Sequence, residues 1–416
     1  MKIELGFRDT TLPIEVPEKN LQAVLQPSAI RSDLAEAEIV RHALAAPIGT
    51  PRLSEMVRPG QKIVIVTSDI TRPMPTARVM PQILEELDRA GVRDEDVTLV
   101  FATGVHRKPP AEECRKLAGD LAYSRIKCIG SDNEDVAYLG RTSRGTEVEI
   151  MRQVVEADFR ICLGNIEFHY FAGFSGGAKA MVPGCASRRT IKANHSLMMD
   201  PRSFAGNIVD NPVRLDLEEA VSFRPAQFIL NVVLDAHKQI KYAVAGDMIK
   251  AHRAGCEFLR NAYLCPIERE AEIVVASMGG SPKDLDLYQS QKAIDNAFHA
   301  VRKGGVIILA ASCREGFGEK TFEAWFREAK TSDDLIRRIK EDFQLGGHKA
   351  AAIAKTLAKA RIWLRSDLPD AVVSGAFLRP VADVQSALDE ALREFGPEAK
   401  VIVMPYAGST LPALEG

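Results

Sequence analysis

Residues 164–195, GNIEFHYFAGFSGGAKAMVPGCASRRTIKANH, concentrate the side chains best suited to chemistry. Two adjacent glycines, Gly176 and Gly177, follow Ser175 and precede Lys179. Glycine lets backbone N–H groups approach an anion closely, and the lysine then supplies charge or a nucleophilic amine. His169 and His195 bracket Lys179 by ten and sixteen residues, and imidazole serves nickel and zinc alike as a ligand. The spacings of a P-loop, of G-x-G-x-x-G and of H-E-x-x-H are all absent. A tight turn would explain the glycine pair alone, but two histidines and a lysine around it weigh against that reading.

Three further segments carry suitable groups. SDITRPMPT, residues 68–76, places Asp69 and Arg72 in a turn-rich loop ahead of a helix, where an arginine can clamp a carboxylate or phosphate with two parallel bonds. ATGVHRKPPAEE, residues 102–113, puts His106 at a strand exit, where it can act as a general base near neutral pH. In SMGGSPKDLDLYQSQKAIDNA, residues 277–297, Tyr288 and Lys292 are four apart and share a helix face. There a phenol can hydrogen-bond a ligand and an ammonium can pair with an acid. Taken singly, these three segments read equally well as a capped turn, a plain loop and an amphipathic helix.

The elements that must position these groups are strands and helices in alternation. Lys62–Thr67, Val97–Ala102, Phe159–Gly164 and Phe228–Leu234 are β-branched apolar runs, and the first and third are apolar on both faces. Such runs belong to parallel sheets covered on both sides, so an α/β fold is expected. Pro75–Ala90 has helical spacing and stops at Gly91. A second series comprises a strand at Ile273–Ala276, a helix around Gln289–Arg302, the strand VIILAA, helical patterns across Phe322–Ala360, and strands at Ala371–Ser374 and Lys400–Met404. The start, MKIELGFRDTTLPIEV, alternates like a strand pair. Two α/β domains are therefore expected, 1–265 and 266–416, with a junction near Cys265-Pro266. Three of the four segments follow strands directly, and ligands in open α/β sheets bind at the carboxyl ends of strands.

Composition narrows the partners. A formal net charge of −2 and the lack of a long basic run disfavour nucleic acid and anionic membranes. No basic-then-apolar leader and no run of about 20 apolar residues is visible. The seven scattered cysteines form no C-x-x-C pair, and Cys128, Cys162 and Cys265 sit in or beside apolar runs as buried small hydrophobes. A cytoplasmic location is expected.

Together the four segments resemble the nickel-dependent lactate racemase family, over most of the chain and most specifically at residues 164–195. The resemblance implies two α/β domains with the active site in the interdomain cleft. It also implies a nickel-pincer nucleotide cofactor, a pyridinium mononucleotide whose two sulfur arms and a ring carbon hold nickel. Lys179 in FSGGAK matches the lysine joined to one arm through a thioamide, and His195 in KANH matches the nickel ligand. Ser175, Gly176, Gly177 and Asp69 would line the cofactor, and His106 and His169 match an acid–base pair. Arg72, Tyr288, Gln289 and Lys292 would bind substrate, the last three from the second domain.

The implied reaction is inversion at C2 of a 2-hydroxy acid by hydride transfer. The C2 hydrogen is weakly acidic, so removing it as hydride avoids a carbanion. One histidine takes the hydroxyl proton, and the other serves the opposite enantiomer. Domain closure is implied as well, since Arg72 and Lys292 would approach substrate from different domains. Lactate leads among the substrates; a sugar acid or malate is the alternative. Tyr170, Phe171, Met198 and residues 343–350 are candidates for shaping the side-chain pocket. Implied partners are the hydroxy acid and the enzymes that make the cofactor. A non-catalytic carrier of the nucleotide would have no need of His106 and His169, and a zinc hydrolase using His169 and His195 would leave Lys179 idle.

Overall fold

The computed structural model describes residues 1–26, 32–235, 237–344 and 346–414. The chain divides into two compact units, Ala29–Asn261 and Met1–Ser28 together with Ala262–Gly416.

In the Ala29–Asn261 unit a six-stranded sheet runs in the order Ile240–Gly246, Phe228–Leu234, Phe159–Asn165, Ile63–Ser68, Val97–Ala102, Lys127–Gly130. Every neighbouring pair is parallel except that of the Ile240–Gly246 edge strand. Phe159–Asn165 is buried throughout, as a parallel strand covered on both faces must be. The helix Thr76–Arg89 packs against this sheet through Val79, Met80, Ile83, Leu84 and Leu87, a stripe at helical spacing. Burial stabilises each such side chain by about 1.5–3 kcal/mol. From Ile63–Ser68 the sheet grows outward through Val97–Ala102, then resumes on the other side with Phe159–Asn165. The order reverses beside Ile63–Ser68, and in open α/β sheets ligands bind outside the carboxyl ends of the strands at such a switch point. Asp69, the loop carrying His106 and the segment carrying His169 all begin there.

The other unit has its own six-stranded sheet, ordered Arg379–Pro380, Arg361–Arg365, Val301–Ala310, Ala271–Ser277, Val401–Met404, Leu21–Val24, with every pair parallel. The strand pair expected at the start is the antiparallel hairpin Lys2–Phe7 with Thr10–Glu15. Its inward side chains, Leu5, Phe7 and Ile14, join the core with Ile273, Ile308, Trp363 and Leu388.

Residues 1–26 thus depart from the expected division at 265/266: they fold with the C-terminal unit, and the second cut falls between Asn261 and Ala262. The reason is that the packing of the hairpin on the C-terminal core and the pairing of Leu21–Val24 with Val401–Met404 bridge hundreds of residues, which local pattern does not encode. Ala371–Ser374, expected as a strand, lies in the helix Asp370–Gly375. Four residues, three of them apolar, do not distinguish the two periods, and Pro369 with Asp370 makes a helix start. The expected helix over Gln289–Arg302 is Leu287–Phe298, and Arg302 belongs to the strand that follows. Cys162 and Cys265 are buried as expected; Cys128 is only partly so, and all seven thiols are free. No helix among the described residues is long and apolar enough to cross a membrane.

Candidate active site

The loop after Ile63–Ser68 turns back so that Arg72 N–H donates to Asp69 O, and Asp69 is buried. Asp69 Oδ2 lies 2.8 Å from His106 Nδ1, and its Oδ1 accepts from Thr71 Oγ1 at 2.6 Å. Burial pushes this carboxyl up, but the bonds from His106 and Thr71 outweigh burial and hold it below the usual carboxylate range. The ionised oxygen only accepts, so His106 Nδ1 is the donor and Nε2 keeps a lone pair.

The chain leaving Asn165 forms the short pairing of Phe168–His169 with Gly173–Phe174, then a 3-10 turn at Gly177–Ala180. Gly176 and Gly177 have φ of +74° and +59°. A Cβ at Gly176 would lie 2.7 Å from Asn231 Oδ1, and one at Gly177 would lie 2.8 Å from His252 Cγ. Only glycine fits a backbone that close to its neighbours. The expectation that these N–H groups face an anion needs amendment at one position, because Gly177 N–H donates to Asn231 Oδ1 at 2.8 Å. Ser175 is likewise engaged: its hydroxyl donates to Asn165 O at 2.7 Å and its carbonyl faces His252 Nε2 at 2.7 Å. Its role in this structure is to brace the loop.

Phe171 lies at the centre of the reactive groups. Its ring centroid is 4.6 Å from that of His169, 5.0 Å from that of His195 and 5.5 Å from Lys179 Nζ. Tyr170 stacks on His169 at 5.3 Å. Burial, then the positive charges of Arg214 and Arg72, pushes the Lys179 amine well below the usual ammonium range, against a smaller pull from Glu167. Burial, then Lys179 and Arg72, likewise holds His169 well below the usual imidazole range. His169 Nδ1 accepts from Ala172 N–H at 3.3 Å. His195 is buried near the end of the helix Arg188–Ser196, and its Nδ1 lies 3.1 Å from Asn194 Oδ1. Met198 is buried in the turn that follows.

The structure therefore gathers Asp69, Arg72, His106, His169, Ser175, Gly176, Gly177, Lys179 and His195 into one unit, at one end of one sheet. Tyr288, Gln289 and Lys292 belong to the other unit, at the start of the helix Leu287–Phe298, whose N-cap is Asp286. Gln289 and Lys292 are exposed. Lys349 Nζ sits 3.8 Å from the Tyr288 ring centroid and donates to Tyr288 O at 2.7 Å. Of the segment 343–350, Leu345 lies outside the described residues.

Sequence reasoning missed the residues behind the site. Arg214 is fully buried, donates to the carbonyls of Ala172 and Phe174, and lies within 3.7 Å of Glu218. Asn231 and His252 back the glycine turn, and Asp216 backs Asn194. None sits in a motif, and each is tens of residues from what it supports. An arginine inside an apolar helical stripe was the one available signal.

Two family models cover most of the chain: the lactate racemase N-terminal domain matches residues 7–206, and the lactate racemase C-terminal domain matches residues 267–411. The chain belongs to the lactate racemase family. A lactate racemase of Thermoanaerobacterium thermosaccharolyticum is 33% identical over 98% of this chain and 98% of its own length. Another, from Lactiplantibacillus plantarum, is 31% identical over 97% of each. The solved structure of the lactate racemase apoprotein from T. thermosaccharolyticum superposes with a TM-score of 0.89, covering 99% of this chain and 100% of that one. Membership of this family places the chain among the isomerases.

Proposed function

We propose that the chain racemises lactate, or a close 2-hydroxy acid, with the C2 hydrogen leaving as hydride. The observation that carries this reading is the grouping around Phe171 of the buried Lys179 amine and two imidazoles, in a chain of this family. These residues fit a nickel-pincer nucleotide. Burial, with Arg214 and Arg72 nearby, lowers the Lys179 pKa well below the usual ammonium range, which favours the free amine that a thioamide needs. His195, a buried imidazole whose Nδ1 faces Asn194 Oδ1 at 3.1 Å, suits a nickel whose other donors come with the nucleotide. When bound, that group supplies an electron-poor pyridinium carbon that can take hydride from C2 and return it to the opposite face.

The chain's own residues do the rest. His106 Nε2 takes the hydroxyl proton of one enantiomer, and Asp69 keeps its negative charge beside the ring that becomes positive. His169 serves the other enantiomer. Arg72, exposed and close enough to depress both Lys179 and His169, holds the substrate carboxylate. Tyr288, Gln289 and Lys292 offer a phenol, an amide and an ammonium to an anionic ligand. Seven free thiols suit the reducing cytoplasm.

Given a single lactate enantiomer in deuterated buffer, holoenzyme is expected to yield the other with its 2-hydrogen retained. Solvent deuterium at C2 would overturn hydride transfer. Intact mass of active enzyme is expected to show a nucleotide-sized adduct on Lys179, and an unmodified lysine in active enzyme would overturn the tether.

A further inference from the structure

A histidine ligand binds metal through a nitrogen that keeps its lone pair, so what holds the other ring nitrogen decides whether the site is ready. His195 Nδ1 faces Asn194 Oδ1 at 3.1 Å. A carboxamide oxygen only accepts, so the ring nitrogen must donate, provided that the atom facing it is oxygen. The far side of the amide settles that point. Asn194 Nδ2 donates to Val213 O at 3.1 Å and to Asp216 Oδ2 at 2.9 Å. Turning the amide over would set its oxygen against a carbonyl and a carboxylate. Both Nδ2 hydrogens are thus committed, and the oxygen is left for His195.

Asp216 is itself fully buried in the helix Pro212–Ser222. Its Oδ1 accepts from Thr142 Oγ1 at 2.6 Å and its Oδ2 from Thr146 Oγ1 at 2.8 Å. Those threonines belong to a turn closed by Thr142 N–H on Thr146 O and by Thr146 N–H on Thr142 Oγ1. A buried carboxylate held by three neutral donors is costly to place unless each bond is made. Here the three bonds converge on the Asp216 carboxylate, and one of them comes from the amide that orients His195.

We propose that Asp216 is a positioning residue: acting through Asn194, it fixes His195 as the Nδ1–H tautomer, so that Nε2 keeps the lone pair a metal needs. The inference rests on the reading of His195 as the nickel ligand. It ties one site nitrogen to a turn some fifty residues earlier in the chain.

Two readouts other than turnover test it. In apoprotein labelled with nitrogen-15 histidine, with His195→Gln identifying the signal, the wild-type ring is expected to be protonated at Nδ1, and Asp216→Asn is expected to populate the Nε2–H form. In holoprotein challenged with a chelator, Asp216→Asn and Asn194→Ala are expected to lose nickel roughly 10–100-fold faster than wild type, with the Lys179 adduct retained by intact mass. An Nε2–H ring in wild type, or wild-type nickel loss in both variants while His195→Ala loses it fast, overturns this inference alone. Wild-type nickel retention in His195→Ala overturns the ligand assignment and this inference with it. If melting shows that Asp216→Asn does not fold, Asn194→Ala decides the question, since it leaves Asp216 with both threonine donors.

Discussion

His106 and His169 are the same residue type at the end of the same sheet, yet their surroundings differ in kind. His106 is half-exposed and has an ionised carboxylate at 2.8 Å on Nδ1. His169 is flanked by two aromatic rings, by the Arg72 and Arg214 cations and by the Lys179 amine, with only a backbone N–H at 3.3 Å on Nδ1. The first is committed to a tautomer that accepts protons at Nε2. The second rests neutral with its hydrogen on Nε2, and it must give up one backbone bond, worth about 1 kcal/mol, before it can accept there. A two-base reaction therefore need not use two equivalent bases; a strong partner fixes one and a weak contact leaves the other adjustable.

The largest expected effects test whether both rings are needed. His106→Ala and His169→Ala should each lower kcat/KM by about 10²–10⁴-fold while the Lys179 adduct remains by mass. Full activity in either variant removes the comparison's basis. Next comes the partner. Asp69→Asn offers His106 Nδ1 an N–H instead of a carboxylate, which favours the wrong tautomer, and kcat should fall by about 10²-fold or more. An effect confined to KM would mean that Asp69 binds ligand rather than orienting the ring.

Acid stability sharpens the contrast. His169 and His252 both lie well below the usual imidazole range when folded, mainly through burial. Below about pH 6.5 the unfolded chain takes up protons that the folded chain refuses, so each such group costs up to about 1.4 kcal/mol per pH unit as pH falls. The Asp69 contribution has the depressed-carboxylate sign and is lost only at lower pH. His252→Gln, which can still donate to Ser175 O, should flatten the fall in melting temperature between pH 6.5 and 5; an unchanged slope would show that His252 does not set it.

The smallest effect compares two lysines. Lys349 is buried against the Tyr288 ring with a carbonyl to bond, and Lys349→Met should cost about 2 kcal/mol. Lys179 is held among cations, so Lys179→Met should leave stability unchanged or raised while abolishing the adduct. Equal losses in thermal melts would erase the distinction.

How much of this was legible in the sequence follows from the range over which each feature is encoded. KIVIVT and FRICLG became strands at the centre of the sheet because a continuous apolar run needs no distant partner to be recognised. His106, His169, Lys179 and His195 stood out because their types and neighbours are local, and the resemblance they carry matched the family. AVVS misled because four residues do not hold a period.

The sequence by itself determined the alternation of strands and helices, the family, and the kinds of groups available for chemistry. Only the tertiary structure decided their states: which nitrogen of His106 is spent on Asp69, how burial beside Arg214 lowers the Lys179 pKa below the usual ammonium range, and how Asp216 reaches His195 through Asn194. Those states depend on burial and on hydrogen bonds between residues that packing brings together from distant parts of the chain. No local pattern records where a buried arginine or a single amide will point.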